Sequence, residues 1–436
     1  MENKKVLFQH AKEKTTLFAW LVCGLGALFY CYEYLLRIAP SVMSRDLMGA
    51  YQLDAAGFGH LVAYYYYIYT PMQIVVGIFM DRYGPRLLIT LACLACAVGT
   101  YLFACSDILA IAKFGRFLVG FGSAFAFVGA LKLATIWQPP ERFALVSGLI
   151  TGLGNLGAVM GDIFLTVLVE RQGWRGTNMS SAVFGIILAV IIVLIVRDSV
   201  SKAAATPREF KTTVAFSEVF VGLWAALKKP QIWKNGLMSG LFYIPTSAFA
   251  ELWGIPYLEQ ARGLSEHEAA ATVSMIFLGW VIGCPISGFV SDRIKRRIAP
   301  LMFGALLGAV ASAYVIYVPE ISDGMLKLMF LFLGLSGSVH VLVFAVGRES
   351  SPSNIAGTAI ALTNTFTMIS GVVFQPIVGV LLAKQWGGQM IDGIHVYSAS
   401  NFQYALFVVP LGMALAFLVL CFMKETRCQL LENREE

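Results

Sequence analysis

The stretch GIFMDRYGPR, residues 77–86, and a second stretch, GFVSDRIKRR, residues 288–297, decide the fold. In both stretches a glycine stands four positions before an Asp-Arg pair, and at least one further arginine follows. The copies are separated by about half of the chain, and each lies in a short break between two long apolar runs. Such a repeat is typical of membrane proteins that are built from two related halves. We therefore expect two similar halves that carry this loop at the same position.

The composition points to a membrane environment, because 58% of the 436 residues are hydrophobic and only 13% are charged. Soluble domains carry about 25% charged residues, and a helix needs about 20 apolar residues to cross a bilayer. Twelve such runs occur, at approximately Leu17–Ile38, Ala56–Phe79, Leu87–Cys105, Leu109–Trp137, Ala144–Val169, Ser180–Val196, Trp233–Leu258, Ala269–Val290, Pro300–Val318, Met325–Val346, Ala356–Ala383 and Phe402–Met423. The sequence predicts an all-α membrane protein with twelve transmembrane helices in two pseudo-symmetric six-helix bundles.

The longest polar break divides the twelve runs into six and six. We expect an N-terminal bundle with a cytoplasmic tail over residues 1–196, a cytoplasmic linker over 197–232, and a C-terminal bundle with a cytoplasmic tail over 233–436. The linker is expected to act as a flexible tether, and its part Val214–Lys229 could form a short amphipathic helix on the inner surface.

The basic residues are distributed unequally between the two sides of this arrangement. If the N-terminus lies inside, the outer segments hold only Arg45, Arg171, Arg175, Arg262, Lys327 and Lys384, and the inner segments hold the larger share. The positive-inside rule therefore predicts that both termini are cytoplasmic. The formal net charge of +6 is then a topology signal, and nucleic acid is not an expected partner.

Two charged residues interrupt the first apolar run, in the stretch FYCYEYLLRIAPSVM, residues 29–43. Glu33 and Arg37 are four positions apart and share one face of a helix, and ionisable groups at membrane depth are functional-site candidates by default. Burial favours a neutral carboxyl and a nearby cation favours a charged one, so this pair has both properties that proton coupling needs. The structural alternative is that Arg37 snorkels to the outer surface while Glu33 pairs with it.

The other polar residues in the runs complete the candidate site. The proton-coupling candidates are Glu33, Glu251 and Asp162. The substrate-binding candidates are Tyr30, Glu33, Arg37, Tyr66, Arg116, Lys132, Tyr243, Glu251, His340, Asn364 and Gln375. Structural alternatives stay open for four of them: a helix-to-helix anchor for Arg116, a solvated position for Asp162, snorkelling for Lys132 and simple packing for His340. Pro245 and Pro376 could break their helices and free carbonyl groups for a ligand.

The doubled loop, the motif Arg116-x-x-x-Gly120-x-Gly122 and the count of six plus six resemble the major facilitator superfamily over nearly the whole chain. The resemblance implies two bundles around a central cavity that opens alternately to each side. It also implies that Asp81 and Asp292 cap helix ends across the bundle interface and hold the outward-open state closed on the inside. The gate residues implied are Gly77, Asp81, Arg82, Arg86, Gly288, Asp292, Arg293 and Arg297.

Two further patterns bear on the direction of transport and on the substrate. The fifth run, from Gly148 to Asp162, lacks the proline of the G-x-x-x-G-P-x-x-G-G motif that it would share with superfamily antiporters, which favours uptake. The stretch YEYLLRIAPSVM resembles the phagosomal-transporter branch of intracellular bacterial pathogens, which implies import of amino acids or nucleosides across a bacterial inner membrane. Cations and carboxylates together could clamp a zwitterion.

We therefore expect a proton-coupled importer of a small polar nutrient, with an amino acid as the first choice. The alternatives are a transporter of an organic anion or polycarboxylate siderophore, an exporter or exchanger on the same fold, and a membrane receptor that does not transport. No phosphate-binding loop and no nucleophilic constellation occurs in the sequence, so an enzyme is not expected. No cofactor or metal is expected, the partners are a small-molecule substrate, protons and the lipid bilayer, and a monomer suffices.

Overall fold

The computed structural model describes residues 2–138, 142–198, 223–224, 228–351 and 356–429. Most of the predicted linker over 197–232 and of its predicted amphipathic helix lies outside the described residues, and the last described part of that range, from Pro230, already belongs to the seventh helix.

Twelve long helical units fill the described part of the chain and confirm the predicted fold class. They are α1 (Glu2–Val42), α2 (Ala55–Tyr83), α3 (Pro85–Cys105), α4 (Leu109–Ser123 and Ala126–Trp137), α5 and α6 (the two parts of Phe143–Ile195), α7 (Pro230–Phe242, the π-helical Pro245–Trp253, and Gly254–Arg262), α8 (Glu266–Ile294), α9 (Ile298–Tyr317), α10 (Asp323–Ser338, the 3₁₀ turn Val339–Val341, and Leu342–Glu349), α11 (Ala356–Lys384) and α12 (Ala399–Ala405 and Val408–Cys421).

The helices have the length and composition of membrane spans. Nine stretches of the described residues are long and apolar enough to cross a bilayer, and one of them, Leu145–Ile195, contains both α5 and α6. These two helices meet at Gly173, whose φ of 70° lies in the left-handed region that glycine adopts without steric cost. Large apolar side chains such as Met160 and Phe164 of α5 are exposed on the outside of the bundle, where lipid would cover them.

In the described part of the chain, the backbones of the two bundles come into close contact on one face of the molecule. We call the face that carries Asp81–Arg86 and Asp292–Arg297 the loop face, and the opposite one the closed face. At the closed face, α2 packs on α11 through Gly59, where an added Cβ would lie 2.8 Å from the carbonyl oxygen of Gln375. Gly379 of α11 is in similarly close contact with the backbone of α2. Small residues let the helix backbones approach closely, and here they bring the two halves together.

Polar contacts reinforce the closed face. The Ser41 hydroxyl of α1 donates to the carbonyl of Leu252 in α7 at 3.0 Å. The Glu170 carboxylate at the end of α5 lies 2.8 Å from His267 at the start of α8. A short helix, Ser44–Ala50, and a two-stranded hairpin, β1 (Met390–Ile391) with β2 (Ile394–His395), cover this face. These small elements were not predicted from the sequence.

The two prolines that could break helices behave differently. In α7 the α-helix ends at Phe242, and Pro245 opens a π-helix that runs to Trp253. A π-helix is frequent at functional sites, and this one carries Glu251. In α11, by contrast, the helix runs without interruption through Pro376, so the expectation of a break at that residue is wrong.

Candidate functional site

A cavity of about 1080 Å³ lies between the bundles. Its lining includes Asp81 and Arg82 at the loop face, and it reaches inward to Arg37 and Trp280. The packed closed face ends the cavity beyond Arg37. The volume suits a small molecule, because ligand pockets typically measure about 300 to 1,000 Å³.

A buried charge cluster forms the closed end of the cavity. The Arg37 guanidinium donates from Nη2 to Glu33 Oε1 at 2.9 Å, and its Nη1 lies 3.7 Å from Glu251 Oε1. Relative exposure is 0% for Glu33, 3% for Arg37 and 1% for Glu251. Glu33 belongs to the N-terminal bundle and Glu251 to the C-terminal bundle, so Arg37 joins the two halves through opposite charges.

Tyrosines complete the hydrogen bonding of both carboxylates. The Tyr65 hydroxyl accepts from Arg37 Nε and donates to Glu33 Oε2, both at 3.0 Å. The hydroxyls of Tyr66 and Tyr243 both donate to Glu251. Hydrogen bonds to ionised groups are stronger than neutral ones, so these phenols hold the cluster in a defined geometry.

Arg37 also lies against aromatic rings that border the cavity. Its Cζ atom is 4.5 Å from the ring centroid of Tyr34 and 5.1 Å from that of Tyr69. Arg37, Tyr34, Tyr69 and the predicted Tyr30 all line the cavity. A guanidinium stacked on aromatic rings keeps its orientation, and its position makes Arg37 the candidate ligand for an anionic group.

Arg116 occupies a different position from the one predicted for a substrate ligand. It is buried, does not line the cavity, and donates from Nη1 to the carbonyl of Leu36 at 3.0 Å. Its Cζ atom lies 5.3 Å from the Tyr65 ring. This geometry matches the alternative of an anchor between α4 and α1, and it leaves a positive charge beside the cluster.

Lys132 lies with the gate residues rather than at the closed end. Its ammonium is 2.5 Å from Asp81 at the loop face. Arg86, at the same face, donates a hydrogen bond from Nη2 to the carbonyl of Val193 at 2.7 Å. Arg82 lines the cavity at the same end.

The second loop is bound within the C-terminal bundle. Arg297 contacts Asp292 at 2.6 Å and Glu349 of α10 at 2.9 Å, and Arg293 is exposed. Among the described residues, a Cβ added at Gly77 or Gly288 would meet no atom of another element within 4 Å. In this state the predicted gate therefore makes its described ion pairs within each bundle, and its glycines are not at a close helix contact.

The C-terminal wall of the cavity holds Tyr243, His340 and Asn364. The Nε2 atom of His340 is 3.0 Å from the Ser239 hydroxyl, and its ring lies among the rings of neighbouring aromatic residues. Gln375 is not in the cavity, because its amide donates to the carbonyl of Ser247 at 2.8 Å inside the bundle.

Asp162 is a buried acidic residue outside the charge cluster. It has 0% relative exposure, and neither carboxylate oxygen has a hydrogen-bond partner among the described residues. It lies seven residues beyond Asn155, which lines the cavity, and a spacing of seven places both on one face of α5 about two turns apart. In this state Asp162 is not solvated, and it is enclosed in the closed half of the bundle interface.

Several lining residues were not predicted from the sequence. Gln73 of α2 lines the cavity and accepts a hydrogen bond from Asn364 of α11 at 2.8 Å. Trp280 of α8 and Asn155 of α5 also line it. Gln73 and Asn155 are amides inside apolar runs, the same signal that selected Asn364, and they could have been chosen on that ground.

Curated relatives of this chain are transporters of bacteria. One is the "Probable sulfoacetate transporter" of Cupriavidus necator, which is 22% identical over 382 residues that cover 84% of this chain and 87% of the relative. Another is the "Probable galactarate/D-glucarate transporter" of Bacillus subtilis, which is 24% identical over 402 residues that cover 85% and 87%.

Solved structures share the fold. A bacterial homologue of the human lysosomal transporter Spinster, in an inward-facing and occupied conformation, matches with a TM-score of 0.75 at 17% identity and covers 93% of this chain and 96% of that one. A D-xylose-proton symporter matches with a TM-score of 0.71 at 16% identity and covers 95% of this chain and 100% of that one.

The family assignment rests on the sequence, and the structure agrees with it. The family model described as Major Facilitator Superfamily matches residues 22–375, which include the first loop copy, the second loop copy and the charge cluster. The relatives are membrane transporters and not enzymes. With two six-helix bundles around a central cavity, this chain belongs to the Major Facilitator Superfamily.

Proposed function

We propose that the protein is a proton-coupled importer of a small organic anion, and that Arg37 binds the acid group of the substrate. One observation carries the proposal: Arg37 lines the closed end of the cavity and is bound there by a carboxylate from each bundle. A guanidinium suits a carboxylate or sulfonate, because its fork of N–H donors matches the oxygen pair.

Charge balance in the buried site would couple binding of the substrate to uptake of a proton. Arg37 and Arg116 carry two positive charges, and Glu33 and Glu251 carry two negative charges when ionised. An incoming anion at Arg37 would therefore leave the buried site with a net negative charge. At 4 Å, two unit charges interact by about 4 kcal/mol at an effective dielectric constant of 20. Protonation of Glu33 or Glu251 restores neutrality and frees N–H donors of Arg37 for the substrate.

Asp162 is the third proton-coupling candidate. It lies in the closed half of the interface, on the α5 face that reaches the cavity at Asn155. A carboxyl group without a cation in a dry environment favours its neutral form. We propose that Asp162 carries a proton in this state and meets water when the closed face opens.

The relatives favour an organic acid over the amino acid that the sequence suggested first. Those compared carry the names of sulfoacetate, galactarate and glucarate transporters. An amino acid is the second candidate, because the cluster offers two carboxylates for one cavity-lining guanidinium, and one of them could receive an ammonium group. Binding of a zwitterion would not require net proton uptake for charge balance.

The orientation and location are also proposals. The loop face carries the basic loops, so the positive-inside rule assigns it to the cytoplasm, with both termini on that side. The cavity then opens inward in this state, and the closed face points outward. The bacterial relatives fit a location in the inner membrane, and the central cavity within one chain fits a monomer.

Uptake into proteoliposomes tests this function. Purified protein is reconstituted, an inward proton gradient is imposed, and accumulation of sulfoacetate, glucarate, gluconate and a set of amino acids is measured. We expect accumulation of at least one organic acid that collapses when a protonophore is added. Arg37→Lys is the matched variant, because it keeps the charge but not the planar fork.

Four other outcomes would replace the proposal. Accumulation of amino acids alone would favour the second candidate. Transport that continues without a proton gradient would indicate an exchanger, and net movement driven outward would indicate an exporter. Saturable binding without any transport would indicate a receptor.

A further inference from the structure

We infer that the cavity selects an organic acid with one negative charge and an uncharged oxygen-bearing remainder, over a dianion of the same size; this inference rests on the proposed function. It is carried by the distribution of charge and of unpaired donors in the cavity wall.

Among the described residues that line the cavity, the charged ones are Arg37, Asp81 and Arg82. Asp81 is paired with Lys132 at the loop face. Arg82 is 13 positions after Tyr69, whose ring contacts Arg37, and 13 residues of α-helix span about 20 Å. A small molecule bound to Arg37 therefore cannot reach the second cation of the cavity.

The nearest polar group along α2 is an amide with an unused donor. Gln73 lies one helical turn beyond Tyr69, which is about 6 Å along the axis. Its Oε1 accepts from Asn364, but its Nε2 is buried and has no hydrogen-bond partner among the described residues. A buried donor without an acceptor destabilises the site that contains it. An uncharged hydroxyl or carbonyl oxygen of the substrate would supply the missing acceptor after a rotation of the Gln73 side chain turns Nε2 toward the cavity.

Apart from the charge cluster, the side chains at the closed end of the cavity are aromatic or carry hydroxyl groups. His340 lies with its ring centroid 5.3 Å from that of Tyr243 and 5.9 Å from that of Trp280. Its Nε2 is within 3.0 Å of the Ser239 hydroxyl and 3.4 Å of the Thr367 hydroxyl. A second acid group placed against this wall would lose its hydration without meeting a cation. The C–H groups of a neutral chain would instead pack on the rings.

Gluconate and glucarate test the inference, because they share a six-carbon hydroxylated chain and differ in one terminal group. Dissociation constants are measured by isothermal titration on the purified full chain, with butanoate and succinate as a second pair. We expect the monoanion of each pair to bind at least about tenfold more tightly. A dianion that binds equally or more tightly in both pairs would overturn the inference while leaving the proposed function standing. If no member of either pair binds to folded protein, the inference falls, and the proposed function falls with it only if sulfoacetate and the other organic acids also fail in the uptake measurement.

Two variants locate the selectivity. Asn364→Arg adds a cation beside Gln73 and is expected to shift the preference toward glucarate by about tenfold or more, whereas Asn364→Gln keeps the wall neutral and the preference unchanged. Gln73→Leu is expected to weaken gluconate by about tenfold and butanoate hardly at all, because only gluconate has an oxygen for the free donor. Equal losses for both ligands would contradict the role of Gln73.

Discussion

The Arg37 guanidinium of the N-terminal bundle lies 3.7 Å from the Glu251 carboxylate of the C-terminal bundle. The same guanidinium contacts Glu33 of its own helix at 2.9 Å. A charge pair that crosses the bundle interface is sensitive both to ligand binding and to movement of the bundles. This is the arrangement that coupling between a substrate, a proton and a conformational change requires.

Replacing Arg37 tests the anion site. Arg37→Gln leaves two buried carboxylates without their cation, which typically costs about 3–5 kcal/mol, so we expect a lower unfolding temperature and no measurable uptake. Arg37→Lys keeps the charge and is expected to retain stability but to bind the substrate at least tenfold more weakly. Thermal unfolding and uptake measured in parallel separate the two effects. Wild-type affinity in both variants would exclude Arg37 as the ligand.

Glu33→Gln tests proton coupling. We expect it to abolish accumulation driven by a proton gradient and to keep counterflow exchange of substrate, because the binding site remains but the titrating group does not. Glu251→Gln is the partner measurement in the other bundle. Gradient-driven accumulation by Glu33→Gln at the wild-type level would show that Glu33 does not carry the coupled proton.

Asp162→Asn tests the isolated carboxyl. An amide keeps the shape and removes the cost of burying an ionisable group that has no partner, so we expect unchanged or higher thermal stability. If Asp162 carries a coupled proton, the variant also loses accumulation while keeping counterflow. A variant that is stable and accumulates substrate normally would remove Asp162 from the coupling group.

Substitutions at two glycines are expected to shift the conformational equilibrium in opposite directions. A side chain at Gly379 would overlap the backbone of Ala55 at the closed face, whereas one at Gly77 meets open space in this state. Overpacking costs about 1–3 kcal/mol, so Gly379→Val is expected to disfavour the state described here. Gly77→Val is expected to disfavour the state in which the loop face is closed.

Cysteine accessibility measures both shifts. A single reporter cysteine in the cavity wall, labelled by an impermeant reagent from the side of the loop face, should react more slowly in Gly379→Val and faster in Gly77→Val. A shift in the same direction for both variants would contradict the assignment of the two faces.

The ion pair between Asp81 and Lys132, at 2.5 Å, predicts that substituting either residue changes how the cavity opens at the loop face. Asp81→Asn is expected to change the accessibility of the cavity more than the substrate affinity, and Lys132→Gln should shift accessibility in the same direction if the pair acts as a unit in this state. Double-mutant analysis of the two variants measures their coupling. An accessibility pattern unchanged by Asp81→Asn would count against the gate role.

The fold was predictable because its signals are local. Most of the twelve runs are long and apolar enough by themselves to predict a membrane helix, and the doubled loop relates the halves without any knowledge of contacts. The hairpin Met390–His395 escaped prediction because each of its strands has only two residues, too few to show an alternating pattern. The π-helix around Glu251 escaped as well, since helix type depends on packing against neighbouring helices and not on periodicity alone.

The charged residues of the site could be predicted from the sequence, but the distances between them could not. Glu33, Arg37 and Glu251 were selected because charge at membrane depth is unusual, and the structure brings all three together. Lys132 carried the same signal but lies at the loop face. Sequence position does not specify which end of a helix borders the cavity, because that depends on how the bundles are tilted.

Proton uptake on ligand binding tests the central claim most directly. Purified protein in weakly buffered solution is mixed with a saturating organic acid, and the pH change is followed with an indicator dye near neutral pH. The account predicts uptake of about one proton for each anion bound, and loss of that uptake when Glu33→Gln and Glu251→Gln are combined. Anion binding without proton uptake across the pH range, or unchanged uptake in the double variant, would contradict it.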